Sequence, residues 1–227
     1  MKLLLNLFVQ TIVWFGFMGA ILFSAAGTMH YVGGWVYLCV MVAFSIGLGL
    51  YGTRVDPGLL KERLGAPMQK TQPLADKLVT LLILIVFFGG LGFMAADAER
   101  WHWSLMPRFV QWAGGGLMVT AIAFMYWTMR LNSFAAPVVK IQKDRGQSVI
   151  TTGPYALVRH PLYFGALFYI AGTSLLLGSW WGLAMVPTLA CVLIIRIGIE
   201  EKTLRAGLEG YDEYARRVRW RLVPLIW

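Results

Sequence analysis

Charge is scarce in this chain. Asp, Glu, Lys and Arg make up 14% of its 227 residues, where soluble globular domains run near a quarter. With 58% hydrophobic residues and a mean hydropathy of +0.65, a soluble domain is excluded. Cysteine is scarcer still. Cys39 and Cys191 both fall inside apolar runs, so neither a disulfide framework nor a metal cluster is supported, and both are expected as small core residues. No Gly-x-Gly-x-x-Gly follows a strand: Gly89-Gly90-Leu91-Gly92 and Gly114-Gly115-Gly116 lie in apolar runs, where glycine serves close helix packing. A phosphate-binding loop, a His-Glu-x-x-His pair and a serine nucleophile elbow are also missing. These absences exclude a Rossmann-type nucleotide site. No repeat, low-complexity tract or second domain is evident.

What the chain does have is apolar runs of about 20 residues, the length that crosses a bilayer. Spans are expected at 4–26, 33–52, 76–96 and 108–131, followed by a helical hairpin at 161–178 and 181–199 that turns at Gly178-Ser179. The first run is too long for a signal-peptide core and lacks a small-residue cleavage site, so it is expected to be retained. The fold class is therefore all-α: a polytopic transmembrane helix bundle of about six spans with a C-terminal amphipathic helix. It forms one membrane domain over 1–227, divided into N-terminal spans at 1–131 and a binding region at 132–227.

In a soluble protein a net charge of +9 would point to nucleic acid; here its distribution matters more. Of the 20 basic residues, all but Arg100 and Arg108 fall at the N-terminus, in 53–77, in 130–160 or beyond the last span. The positive-inside rule then puts both termini in the cytoplasm, with no nucleic-acid partner. Trp35, Trp101, Trp103, Trp112, Trp180 and Trp181 fall at the opposite boundary, where an indole keeps its N–H wet and its ring in lipid. His30 and His102 fall in the connections there and read as interfacial. On the basic side, Asp56-Pro57-Gly58 signals a turn, and 59–64 reads as a solvated basic connection or a short interfacial helix. Segment 132–152 is long for a helix connection. Its Val138-Val139 and Val149-Ile150 bracket a polar turn at 143–146, and a long ordered loop points to function.

Chemistry concentrates in one stretch, Gly153-Pro154-Tyr155-Ala156-Leu157-Val158-Arg159-His160-Pro161-Leu162-Tyr163. Its prolines forbid uninterrupted helix, and Pro161 suits the first turn of the helix that follows. Far along the chain come Arg196, Glu200 and Glu201. Arg196 and Glu200 are spaced i, i+4 on one helical face, which fits either a local ion pair or a site. Carboxylates near the C-terminal end of a helix are unfavourable and need cations: Arg159, His160 or a positively charged ligand. The expectation is that the bent stretch and the acidic pair meet in one site. Leu204, Leu208, Tyr211, Ala215 and Val218 follow at helical spacing; Gly207 and Gly210 weaken the pattern, and it reads as a helix on the leaflet or as a lid.

The ordered set Gly153-Pro154-Tyr155, Arg159-His160-Pro161-x-Tyr163-x-Gly165, Glu200-Glu201 and Gly210-Tyr211-x-x-Tyr214 ahead of Pro224 resembles the isoprenylcysteine carboxyl methyltransferase family. The wider superfamily includes integral-membrane phospholipid and thiol methyltransferases. The resemblance covers about residues 130–225; the first three spans match only in being apolar. It implies S-adenosyl-L-methionine as methyl donor, S-adenosyl-L-homocysteine as product, and no metal. It further implies a lipid-like or small hydrophobic acceptor reached from membrane lipids, with an isoprenylcysteine-type carboxylate favoured over a phospholipid amine or thiol. By the same resemblance, Gln147, Ser148, Val149, Ile150, Tyr155, His160, Pro161, Leu162, Tyr163 and Glu200 bind the cofactor, and Arg196 contacts the acceptor. A further cofactor position falls on Lys140, where the family has glutamine, with Gln142 as a substitute. Two other readings fit the same cluster: an NADPH-dependent membrane sterol-type reductase, and a non-enzymatic scaffold or transporter.

Overall fold

The computed structural model describes residues 2–69 and 72–227. Among them all regular structure is helical: α1 (Lys2–Ala26), α2 (Val32–Val55), α3 (Pro57–Arg63), α4 (Leu74–Ala95), α5 (Arg108–Leu131), α6 (Pro161–Leu176), α7 (Met185–Gly207) and α8 (Tyr211–Arg217). Five segments are long and apolar enough to cross a membrane: Leu3–Ala26, Val32–Val55, Leu74–Trp101, Arg108–Leu131 and Trp181–Gly207. The sixth expected span is shorter. α6 has 16 residues, about 24 Å at 1.5 Å per residue against roughly 30 Å of hydrocarbon. Pro161 opens it, and the turn at Gly178, φ +80°, closes it.

The helices run up and down, so connections gather at two ends. The basic end holds 56–73, 132–160 and the C-terminus; the tryptophan-rich end holds 27–31, 96–107 and 177–184. Large apolar side chains on α1 face outward, Leu5 and Phe8 being 64% exposed, as suits a lipid-facing helix. Cys39 and Cys191 also face outward, correcting the expectation that they fill the core: each sits on the outer arc of its helix, where a thiol meets lipid as a small apolar group.

Of the glycines expected to allow close packing, Gly114 does so, a Cβ there running into Leu175 Cβ, whereas Gly89 and Gly116 meet nothing within 4 Å; the tightest backbone approach is at Gly172, which the sequence did not single out. α5 and α6 approach closely because Gly172 leaves room: a Cβ there would sit 2.5 Å from the Met118 nitrogen and 2.8 Å from the Gly114 carbonyl. The shared core is apolar, with Leu22, Leu91, Met94, Met118 and Leu176 fully enclosed, apart from the Tyr37–Tyr169 hydroxyl pair at 2.7 Å.

A polar knot absent from the sequence reading ties the tryptophan-rich end. Asp97 lies in a single π-helical turn, Ala96–Trp101, and is fully buried. Its carboxylate accepts from Ser104 Oγ at 2.7 Å and from Ser179 Oγ. Those hydroxyls in turn accept the N–H groups of Trp180 and Gly182. Tyr31 donates to the Leu177 carbonyl beside them. The α6–α7 turn is thereby fixed to the rest of the bundle.

Because backbone cannot yield as a side chain can, Gly172→Ala is expected to cost about 1–3 kcal/mol. Gly116→Ala, where a Cβ meets nothing within 4 Å, is expected to be neutral. Thermal unfolding of the two purified variants in neutral detergent measures the contrast.

Candidate functional site

At the basic end, the bent stretch, α7, α8 and the 132–152 loop close around one cleft. Local chemistry explains how each part arrives there. Gly153 takes φ +59°, a left-handed turn that glycine adopts without strain, and a single 3-10 turn, Gly153–Ala156, follows. Pro161 then occupies the first position of α6, with His160 just outside the helix in a non-helical conformation. Gly146, φ +63°, turns the long loop back after a short 3-10 turn at Lys143–Arg145.

All ten residues expected to bind cofactor line this cleft: Gln147 through Ile150, Tyr155, His160 through Tyr163, and Glu200. The imidazole of His160 stacks on the Tyr163 ring, centroids 5.6 Å apart and 8° from parallel. Tyr163 donates to Glu200 Oε2 at 2.7 Å, and His160 Nδ1 stands 3.8 Å from the same oxygen. Tyr155 is buried, and its hydroxyl accepts from Asn132 at 2.9 Å. Burial lifts its pKa to about 12 against the opposing effect of that hydrogen bond, so the phenol stays neutral at physiological pH. Lys140 lies on the cleft wall, paired with Glu62 at 2.6 Å. Gln142 instead turns away, donating to the Phe134 carbonyl and accepting from Arg145.

The two glutamates divide their work in a way spacing alone does not reveal. Glu201 is buried with Arg159: Oε1 accepts from Arg159 Nε at 2.6 Å and lies 3.3 Å from His160 Nε2. Arg159 also donates to the carbonyls of Val218 and Arg219, at 2.8 and 3.0 Å. The backbone N–H groups of Arg159 and His160 bond the carbonyls of Trp220 and Arg221. Arg159 and Glu201 thus form a latch that holds the chain after α8 against the bent stretch. Glu200, one residue earlier on α7, keeps a partly exposed carboxylate in the cleft. Both lie inside α7, which continues to Gly207, so they are not at the helix end that the sequence reading gave them.

The C-terminal segment packs over the cleft, as the lid reading expects. The helix breaks between Gly207 and Gly210, the latter at φ +79°. Tyr211, Tyr214 and Val218 pack with Val149, Leu204 and Leu208 over the cleft, and Tyr214 donates to the Tyr155 carbonyl at 2.8 Å. Burial raises the pKa of both lid tyrosines.

Arg196 stands apart from the cleft. It makes no pair with Glu200; its guanidinium donates to the Pro137 carbonyl and lies 3.6 Å from Asp76 Oδ1. Asp76, in the first turn of α4, is fully buried and binds the Val139 N–H and Gln72 through its other oxygen. Sequence reasoning missed it, although an acidic residue opening an apolar run was the available signal. Arg196 lines a second, apolar cavity of about 310 Å³ walled by Phe87, Met125, Tyr169, Leu189 and Leu193. Ala136, Leu162 and Tyr163 belong to both cavities.

Comparison with known proteins adds to this geometry. Residues 109–208 match the family pattern of phospholipid methyltransferases. The protein-S-isoprenylcysteine O-methyltransferase of Schizosaccharomyces pombe is 32% identical over 88 residues, which is 36% of this chain and 35% of that protein. The match thus spans about a third of the curated relative's length. Together these similarities support the superfamily of membrane methyltransferases that the motifs resemble, a class that implies a methyl donor.

The latch and the cleft carboxylate separate in stability. Glu201→Ala strands a buried guanidinium and is expected to cost about 3–5 kcal/mol, whereas Glu200→Ala, losing one partly exposed hydrogen bond, is expected to cost about 1 kcal/mol. Thermal unfolding in detergent compares them directly.

Proposed function

We infer that this protein is an integral-membrane methyltransferase that uses S-adenosyl-L-methionine and acts on a lipid-like or small hydrophobic acceptor. The observation that carries this reading is the shared wall of Ala136, Leu162 and Tyr163 between a polar cleft and an apolar cavity. Donor and acceptor of opposite character would meet there without either leaving its preferred medium.

The cleft's residues fit the donor's chemistry. When bound, S-adenosyl-L-methionine supplies a methyl group activated on a positively charged sulfur and leaves as S-adenosyl-L-homocysteine. Glu200 takes one hydrogen bond from Tyr163 through a single oxygen, which leaves the other to receive an ammonium as a charge-assisted bond. The stacked faces of His160 and Tyr163 and the lid tyrosines favour a cationic centre, by about 0.5–2 kcal/mol for a tyrosine face. Gln147–Ile150 and Tyr155 line the remainder.

Catalysis by such a site is chiefly alignment, which can lower a barrier by about 7–11 kcal/mol. Tyr163 stands on both sides of the wall and is held by Glu200, so it fixes the boundary across which the groups align. Arg196, anchored on Pro137 and Asp76, orients an acceptor carboxylate, which is already nucleophilic and requires no general base. α8 and its tyrosines exclude water. By the charge asymmetry of the loops, the basic end and both termini are assigned to the cytoplasm, so the donor reaches the cleft from water and the acceptor from the bilayer.

Isothermal titration with S-adenosyl-L-homocysteine tests the reading. Micromolar-range binding is expected, reduced about tenfold or more in Glu200→Ala. Labelled methyl transfer into a total lipid and thiol extract then finds the acceptor. Normal binding by Glu200→Ala would remove it from the site, and absence of binding by the wild-type protein would overturn the methyltransferase reading.

A further inference from the structure

Arg63 closes α3 on the basic side and reaches the same apolar cavity as Arg196. Its guanidinium donates to the Ala135 carbonyl at 3.1 Å. Arg196 donates to the Pro137 carbonyl, two residues further along the same segment. The two cations are therefore held by one short stretch of chain, with Ala136 between their anchors lining the cavity.

Their charges are compensated unequally. Arg196 has Asp76 at 3.6 Å. Among the described residues, no carboxylate lies within ion-pair distance of Arg63: neighbouring Glu62 pairs with Lys140, and Asp56 with Arg145. A guanidinium offers five N–H donors in a planar fork, and the Ala135 carbonyl occupies one. Burial pulls the Arg63 guanidinium below its ordinary proton affinity, the response of a cation short of a counter-charge. Two guanidinium groups thus line the cavity while the one carboxylate paired with them, Asp76, is not part of its wall, which is otherwise chiefly aliphatic and aromatic.

We propose that Arg63 is a specificity-determining residue: with Arg196 it selects acceptors whose head group carries anionic oxygens, as a carboxylate or phosphate, on an apolar chain. The proposal rests on the methyltransferase reading of the adjoining cleft. An uncharged head group would leave the Arg63 charge without a partner in a low-dielectric site, while an anionic one completes the fork with bidentate bonds. The apolar wall takes the chain. Because Arg63 precedes the family-matched segment, 109–208, head-group selection is supplied here by the N-terminal half of the molecule.

The test uses the full-length protein in neutral maltoside detergent at mildly alkaline pH, with three probes of equal chain length: myristate, tetradecyl phosphate and tetradecanol. Thermal stabilisation by each is compared in the wild type, Arg63→Gln and Arg63→Lys. Gln can keep the bond to Ala135 while removing the charge. The wild type is expected to be stabilised by at least one anionic probe and much less by the alcohol; the more stabilising anion names the head group. Arg63→Gln is expected to lose about tenfold or more of that preference, and Arg63→Lys to keep much of it. Arg63→Gln retaining the wild-type preference would overturn the proposal, as would equal stabilisation of the wild type by alcohol and anions, a result that needs no variant to fold. Titration with S-adenosyl-L-homocysteine, unchanged in Arg63→Gln, reports on the methyltransferase reading separately.

Discussion

The site depends on one buried ion pair. Arg159 and Glu201 meet at 2.6 Å with side chains 5% and 6% exposed, and neither charge could remain there without the other. The pair does more than neutralise itself. Arg159 spends its remaining donors on carbonyls of the chain beyond α8, and Glu201 faces His160 and, at 3.3 Å, Arg221. Three segments distant in sequence are thereby held at one point. Once they are, the imidazole, Tyr163 and Glu200 have no choice but to face a common cleft.

The same logic governs the N-terminal half. Asp76 sits at the start of a membrane helix with no water available to it, and it organises whatever donors come near: Gln72, the Val139 N–H and the Arg196 guanidinium. The long loop and Arg196 are positioned by a residue from a helix that shares no motif with them. The bundle is therefore fastened at both ends by buried carboxylates, Asp97 doing for the tryptophan-rich end what Asp76 and Glu201 do for the basic one.

Much of this was legible in the sequence, and the reasons differ by level. Five of the six expected spans follow from apolar length alone, the hairpin turn from Gly178-Ser179, and the bend from Pro154 and Pro161. The meeting of the bent stretch with the glutamates follows from the cost of leaving charge in lipid. What could not be read was partner choice. Spacing places Arg196 and Glu200 on one face, which fits a pair as well as a site, yet Asp76 and the Pro137 carbonyl claim the arginine because they are fixed in a buried setting. Likewise the glutamates are adjacent, and nothing local says which faces Arg159. A turn of about 100° per residue separates them, and tertiary packing alone decides which becomes the latch. The cysteines fail for a related reason: a membrane helix has an apolar outside as well as an apolar inside, so hydrophobicity does not report burial.

The arrangement also explains why a polar cleft and an apolar cavity can share a wall without collapsing into each other. A wet cleft opening directly onto the apolar cavity would hydrate its aliphatic and aromatic lining, and an apolar wall alone would leave the cleft's carboxylate without a donor. Tyr163 resolves this by having two characters. Its ring is part of the cavity lining and stacks on His160, while its hydroxyl is satisfied by Glu200. Arg196 lies near the same ring, its guanidinium carbon 5.9 Å from the centroid. A single aromatic side chain thus separates a carboxylate suited to a cationic donor from a guanidinium suited to an anionic acceptor. Each charge is nonetheless anchored on its own partners: Glu200 by the phenol, Arg196 by Pro137 and Asp76.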